Sequence, residues 1–327
     1  GYNILKKHTQ KFNADSASLV LVKVKTGEIL AMANYPSFNP SNRREMTGSK
    51  IKNGVVSLSF EPGSTIKPFT AYNALYNQTY SEEDIIKTSP GKMSIGKHEI
   101  KDYKDLGNIS LKDIIRLSSN VGAAKVSLQN DKKSIYNTLQ DFDFGKNLYV
   151  DLHGEEQGRL IHYSQWDETI HATIGYGYGL STTLLHLANA YTILANYGKK
   201  IQLTYEKINK EDIYLENVLD ENISKKIVKM MQTVVEDGTA KKARLEKYTV
   251  AGKTGTVRII KDGEYKKNKH LAIFVGITPA TNPEYVAAVI VRNPKKGSAS
   301  GGSNAAPIFR DFMSHSMNML EGYPDRK

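Results

Sequence analysis

Ser64 and Lys67 stand three residues apart, behind a Pro62-Gly63 turn and ahead of apolar Ile66, Phe69, Tyr72 and Leu75. That spacing predicts a helix with the hydroxyl and the amine side by side on one face. Pro68 sits where it would delete an early helical hydrogen bond, so a distorted first turn is expected. A serine attacks once a base takes its proton. A lysine can be that base only when neutral, which its free pKa of about 10.4 opposes. Burial and a second nearby cation both lower it. The sequence offers such a cation at Lys253-Thr254-Gly255-Thr256, where a lysine and a glycine interrupt a β-branched stretch. Glycine within a strand suggests close approach of a ligand to the backbone. A third polar group, Ser118-Ser119-Asn120, falls where one helical stretch ends and another begins.

Each cluster alone has a plainer explanation. Ser49 with Lys52 and Ser94 with Lys97 repeat the first spacing, and Ser37-Phe38-Asn39 repeats the Ser-x-Asn spacing. A helix start, a cap and a solvated edge strand would account for them singly. Their order and their settings carry the argument.

The elements that must position them read as follows. Tyr2 to Phe12 is a short amphipathic helix, and Ala17 to Val24 and Glu28 to Asn34 form a hairpin about Lys25-Thr26-Gly27. Tyr35 to Pro62 reads as a loop. Leu111 to Leu117 and Val121 to Leu128 are helical, Ser181-Thr182 opens a helix ending at Gly198, and Asn222 caps another ending near Gly238. Ile174 to Gly179 is a glycine-spaced loop between them. Tyr248 to Ile260, His270 to Thr278 and Tyr285 to Arg292 are strands, the first two joined through Lys261-Asp262-Gly263. Pro307 begins a last helix after the glycine and serine run from Gly297 to Ser303. Two strands at the front, three at the back and helices between predict an α+β fold. Its antiparallel five-stranded sheet is built from both chain ends (about 1–60 and 240–327), flanked by helices, with an inserted all-helical subdomain (about 64–240).

The chain of 327 residues has room for one large domain or two ordinary ones. Cysteine is absent, which excludes disulfides and thiolate metal sites. The formal charge of +11 is carried mostly by lysine, as in a solvated surface or one that meets anions. Nucleic-acid and nucleotide binding are not expected: Gly252-Lys253-Thr254 resembles the end of a phosphate loop, but Lys247 stands where its first glycine belongs, and Gly175-x-Gly177 is followed by Leu180 rather than glycine. No metal is expected, because His98-Glu99 has no second histidine four residues on. No run is long enough for a membrane helix. Gly1-Tyr2 reads as a processed start, with a membrane anchor and further domain expected upstream.

Ser-x-x-Lys, Ser-x-Asn and Lys-Thr-Gly in this order are the signature of penicillin-binding proteins and serine β-lactamases. The chain resembles the transpeptidase domain of class B penicillin-binding proteins, most closely the division-type septal enzymes. The likeness runs through Thr26 to Ala33, Tyr35 to Pro40, Phe60 to Pro68, Ser118 to Gly122, Gly175 to Gly179 and Ala251 to Thr256. Asn120 favours division, since elongation-type relatives usually carry aspartate there. The resemblance implies catalysis by Ser64 as nucleophile, Lys67 as base, Ser118 as proton relay, Asn120 as orienter and Lys253 as electrostatic and carboxylate anchor. It implies substrate binding by Thr254, Gly255 and Thr256, and an oxyanion hole from the backbone N–H groups of Ser64 and Thr256. No cofactor is implied. The implied partners are peptidoglycan stem peptides, a D-Ala-D-Ala donor and an amine acceptor, β-lactams bound covalently at Ser64, a membrane glycosyltransferase and other division proteins. The implied location is the bacterial inner (cytoplasmic) membrane through a single upstream anchor, with the catalytic domain in the periplasm or on the outer face. D,D-carboxypeptidase, β-lactamase and non-catalytic β-lactam sensor remain alternatives on the same fold.

Overall fold

The computed structural model describes residues 1–261, 264–320 and 322–326. Asp262 and Gly263, expected in the turn between two C-terminal strands, lie outside the described residues. Helix α1 (Tyr2–Phe12) leads into strands β1 (Ser16–Lys23) and β2 (Ile29–Tyr35). The inserted part holds α2 (Lys67–Tyr76), α3 (Leu111–Leu117), α4 (Asn120–Gln129), α5 (Lys132–Asp141), α6 (Glu168–Ile174), α7 (Leu184–Ala195) and α8 (Glu221–Glu236). It is not all helical. Four two-stranded ribbons pair β3 (Ile85–Lys87) with β6 (Asn108–Ser110), β4 (Lys92–Ile95) with β5 (His98–Lys101), β7 (Arg159–Leu160) with β8 (Leu180–Ser181), and β9 (Lys199–Lys200) with β10 (Glu216–Asn217). Strands of two to four residues carry no readable alternation, so pattern alone does not reveal them. The chain then returns through β11 (Ala251–Lys261), β12 (Glu264–Thr278) and β13 (Tyr285–Arg292) and closes with α9 (Ala306–Met319).

The five-stranded sheet runs β11-β12-β13-β1-β2, every neighbouring pair antiparallel. Both of its faces are covered. Phe274 packs edge-on against Phe309 of α9 at 4.9 Å, and Gly276 leaves room for the same ring. The alternate residues Leu271, Ile273, Val275 and Ile277 are buried on the other face, where α7 lies. Unbroken burial of β13 from Tyr285 to Val291 follows from this double cover.

Several boundaries differ from the sequence reading for local reasons. Thr183, rather than Ser181 or Thr182, caps α7, its Oγ1 accepting from the His186 N–H. Asp220, rather than Asn222, caps α8 by accepting from the Ile223 N–H. Strand β11 begins at Ala251 because the Thr249 N–H donates to Asp325 instead of a neighbouring strand.

The glycine-spaced loop backs the segment that carries Ser64. The Gly63 N–H donates to the Gly177 carbonyl at 3.0 Å. A methyl group on Gly177, whose φ is +90°, would lie 2.0 Å from the Gly63 oxygen. Gly177→Ala is expected to lower stability by about 2 kcal/mol or more, through backbone strain and this collision, measured by denaturant unfolding.

Candidate active site

Ser64 lies in a short 3-10 turn, Gly63–Ile66, and α2 starts only at Lys67. The distorted entry expected from Pro68 is this turn. Pro68 itself falls in the first turn of α2, where its missing N–H would have had no helical partner. Gly63 adopts φ +54°, a conformation open to glycine, and its bare Cα lets Val257 of β11 come close. Thr65 Oγ1 donates to the Pro62 carbonyl at 2.8 Å, and the buried Tyr191 hydroxyl of α7 donates to the Thr65 carbonyl at 2.8 Å. The turn is thus anchored from both halves of the molecule.

Lys67 is 1% exposed, and its Nζ meets four oxygens. The Ser118 carbonyl lies at 2.6 Å and Asn120 Oδ1 at 2.8 Å, while Ser64 Oγ is at 3.0 Å and Ser118 Oγ at 3.2 Å. The carbonyl and the amide oxygen can only accept. They use both N–H bonds of a neutral amine and leave its lone pair for a hydroxyl proton. Ser64, the nearer hydroxyl, is placed to supply it.

The acceptors are held by the break between α3 and α4. Ser118 ends α3 in a left-handed conformation, φ 65°, which turns both its carbonyl and its hydroxyl toward Lys67. Ser119 caps α4, accepting from the Gly122 N–H at 2.8 Å and donating to Asp102 at 2.6 Å. The other Asp102 oxygen accepts from the Asn120 and Val121 N–H groups. The Asn120 amide nitrogen donates to the Lys101 carbonyl at 3.0 Å, which leaves Oδ1 facing Lys67.

Strand β11, at the sheet edge, supplies the opposite wall. Lys253 is fully buried, and its Nζ donates to Ser118 Oγ at 2.9 Å and to the Thr254 carbonyl at 3.2 Å. Ser118 Oγ therefore stands between the two lysines. Thr254 Oγ1 shares a hydrogen bond with Thr239 Oγ1 at 2.8 Å. Thr256 Oγ1 accepts from the Gly301 N–H at 3.1 Å, so its own proton is free for a ligand. Ser64, Ser118, Asn120, Thr254 and Thr256 line one cleft of about 540 Å³, with Lys67 and Lys253 buried beneath it. Gly255, expected among the substrate-binding residues, does not line the cleft. A side chain there would meet Thr65 Cγ2 at 3.0 Å and the Pro62 carbonyl at 3.1 Å, so its bareness lets β11 approach the Ser64 turn.

The penicillin binding protein transpeptidase domain family matches residues 17–314. The chain belongs to this family. A probable peptidoglycan D,D-transpeptidase PbpC of Pseudomonas aeruginosa is 37% identical over 325 residues, covering 99% of this chain and 57% of that protein. The peptidoglycan D,D-transpeptidase FtsI of Escherichia coli K12 is 35% identical over 314 residues, covering 95% of this chain and 53% of that one. The chain thus spans little more than half the length of these curated relatives. The apo structure of the TP domain of Burkholderia pseudomallei penicillin-binding protein 3 superposes with a TM-score of 0.91 at 30% identity, covering 99% of this chain and 94% of that one.

In this transpeptidase-family domain, burial is the main force on both lysines. It drives the Lys67 amine well below its usual range, the Lys253 charge lowers it further, and Asp102 opposes the shift. Burial alone brings Lys253 down to about 7. Both burial and a second cation are expected from the sequence, and of the two desolvation is the larger. Asp102, Thr239 and the turn at Gly301–Ala305 also support the site and are not apparent from the sequence. Asp102 sits on an unremarkable ribbon end, and only the folded chain brings it to the start of α4. The glycines at 301 and 302 did carry a signal: a methyl on either would strike backbone, the Ile273 oxygen at 2.2 Å or the Thr239 oxygen at 2.3 Å.

A buried lysine with a lowered pKa binds fewer protons folded than unfolded, so stability rises with pH between the folded value and the unfolded one. For Lys253 that window runs from about 7 to 10.5. Lys253→Met is expected to remove up to about 1.4 kcal/mol per pH unit of this rise, measured as the difference between wild-type and variant unfolding free energies across the window.

Proposed function

We propose that this domain is a serine-type D-Ala-D-Ala transpeptidase that cross-links peptidoglycan stem peptides through an acyl-enzyme on Ser64, in septal cell-wall synthesis. The observation that carries the reading is the Lys67 amine, buried, with its two N–H bonds committed to fixed acceptors and Ser64 Oγ at 3.0 Å.

Lys67 takes the Ser64 proton as Oγ attacks the carbonyl between the two terminal D-alanines. A positioned base of this kind is typically worth about 10² to 10⁴ in rate. The backbone N–H groups of Ser64 and Thr256 receive the developing oxyanion; the close packing of Gly63 and Gly255 between the two segments supports this role. Ser118 Oγ, bonded to both lysines, passes a proton to the departing amine. The terminal carboxylate rests on the Thr254 and Thr256 hydroxyls, within the field of Lys253. A second stem's amine then takes the acyl group. A β-lactam enters the same path and stays on Ser64.

Within this reading the domain works at the outer face of the cytoplasmic membrane, held by an anchor outside the present sequence, beside a membrane glycosyltransferase and other division proteins. Among the described residues no helix is long and apolar enough to cross a membrane.

Ser64→Ala is expected to abolish labelling by a fluorescent penicillin while circular dichroism and melting temperature stay close to wild type. Rapid hydrolytic release of the adduct from the wild-type chain would instead indicate a β-lactamase, and acylation without transfer to a D-amino acid from a thioester donor would indicate a sensor. Lys253→Ala removes a cation that depresses the Lys67 pKa. The acid limb of its acylation-rate profile should therefore move to higher pH, with a rate loss of about 10² or more near neutrality. An unchanged limb would refute the electrostatic role of Lys253.

A further inference from the structure

The catalytic cleft does not end at the sheet edge. Lys242 and Ser303 line it and also line a second, larger hollow of about 740 Å³ between α1, the segment after β13, and α9. The exposed side chains of Lys7, Lys11, Lys242, Lys296 and Arg310 border this annex. Asp311 is the one carboxylate among the described residues that line it, and it is already engaged by His8 at 2.8 Å and Arg310 at 2.6 Å. Among the described residues no carboxylate lies within salt-bridge distance of Lys7, Lys11, Lys242 or Lys296. Such a hollow with one sign of charge concentrates anions.

Its position relative to the chemistry says which anion. In the proposed reaction the leaving group's carboxylate rests on Thr254 and Thr256. Thr254 is bonded to Thr239, and Gly302, next to Ser303, packs against that same Thr239. The shared wall therefore adjoins the leaving-group end of the cleft. The incoming amine attacks from the place the leaving amine vacates, so the body of the acceptor extends toward this end.

We propose that the annex is an acceptor subsite: it holds a peptide amine bearing several carboxylates and aims its nitrogen at the Ser64 ester. This inference rests on the transpeptidase reading. In the step it serves, the acceptor nitrogen bonds to the acyl carbon, the carbon–Oγ bond breaks, and the proton lost from nitrogen returns to Ser64 Oγ through Lys67. The annex takes no part in acylation, because the donor needs only the cleft.

The test is Lys7→Glu/Lys11→Glu/Lys296→Glu, three exposed positions outside the cleft. Acylation by a fluorescent penicillin reports both folding and the intact catalytic group, and is expected within about twofold of wild type. Transfer from a thioester donor is then measured with a peptide amine carrying free carboxylates and with its fully amidated counterpart. The KM for the acidic acceptor should rise about tenfold or more, with little change for the amidated one, and raising ionic strength should weaken only the acidic acceptor with the wild-type chain. Equal KM values for variant and wild type with the acidic acceptor would overturn the subsite. So would salt-sensitive loss of binding to anionic phospholipid vesicles with acceptor KM unchanged, which would assign the basic surface to a membrane. Failure of the wild-type chain to be acylated at all would count against the transpeptidase reading itself.

Discussion

A single buried amine sets the terms for the rest of the molecule. Lys67 leaves water to enter a space where only oxygen acceptors await it, and a charged group there would be heavily penalised. Burial therefore favours the neutral amine. That amine is held at hydrogen-bond distance from a serine hydroxyl, its pKa lowered mainly by desolvation and further by a second buried lysine. Two neighbouring buried amines are a poor arrangement for stability. Their persistence is the kind of local sacrifice that functional sites make against an otherwise well-packed core.

That arrangement needs three segments from distant parts of the chain to be fixed to within a few tenths of an ångström. The inserted helices bring the Ser64 turn and the Ser118 break, while the sheet brings the Lys253 strand. Glycines join the halves. Gly63 and Gly255 let β11 and the Ser64 turn approach, and Gly177 presses the turn from behind. The Tyr191 hydroxyl crosses from α7 to the same turn. An edge strand serves here because its outer side is not committed to another strand, and the cleft forms against it.

The parts of this design that depend on close spacing were readable before any coordinates. Ser64 and Lys67 are neighbours on one turn, and a lysine with a glycine inside a β-branched stretch is conspicuous. The sheet was readable too, since its strands are long and apolar. Contacts made only by folding were not. Asp102 follows a short polar ribbon, yet its carboxylate accepts from the Asn120 and Val121 N–H groups at the start of α4. The turn at Gly301–Ala305 looked like a loose glycine and serine run, but it holds the Thr256 hydroxyl and forms one wall of the cleft. The short ribbons carry too few residues for any period to show. Nor could the sequence show that Gly255 faces the Ser64 turn, where a side chain would meet Thr65 and the Pro62 carbonyl.

Ser118 has a consequence for how such a domain could drift. Its carbonyl and its hydroxyl both face the amine, but only the hydroxyl belongs to the side chain. In the proposed mechanism, variation at this position removes the proton relay, while the carbonyl that seats the lysine belongs to the main chain and stays. A lineage could therefore lose this hydroxyl in a single substitution without unseating the buried amine.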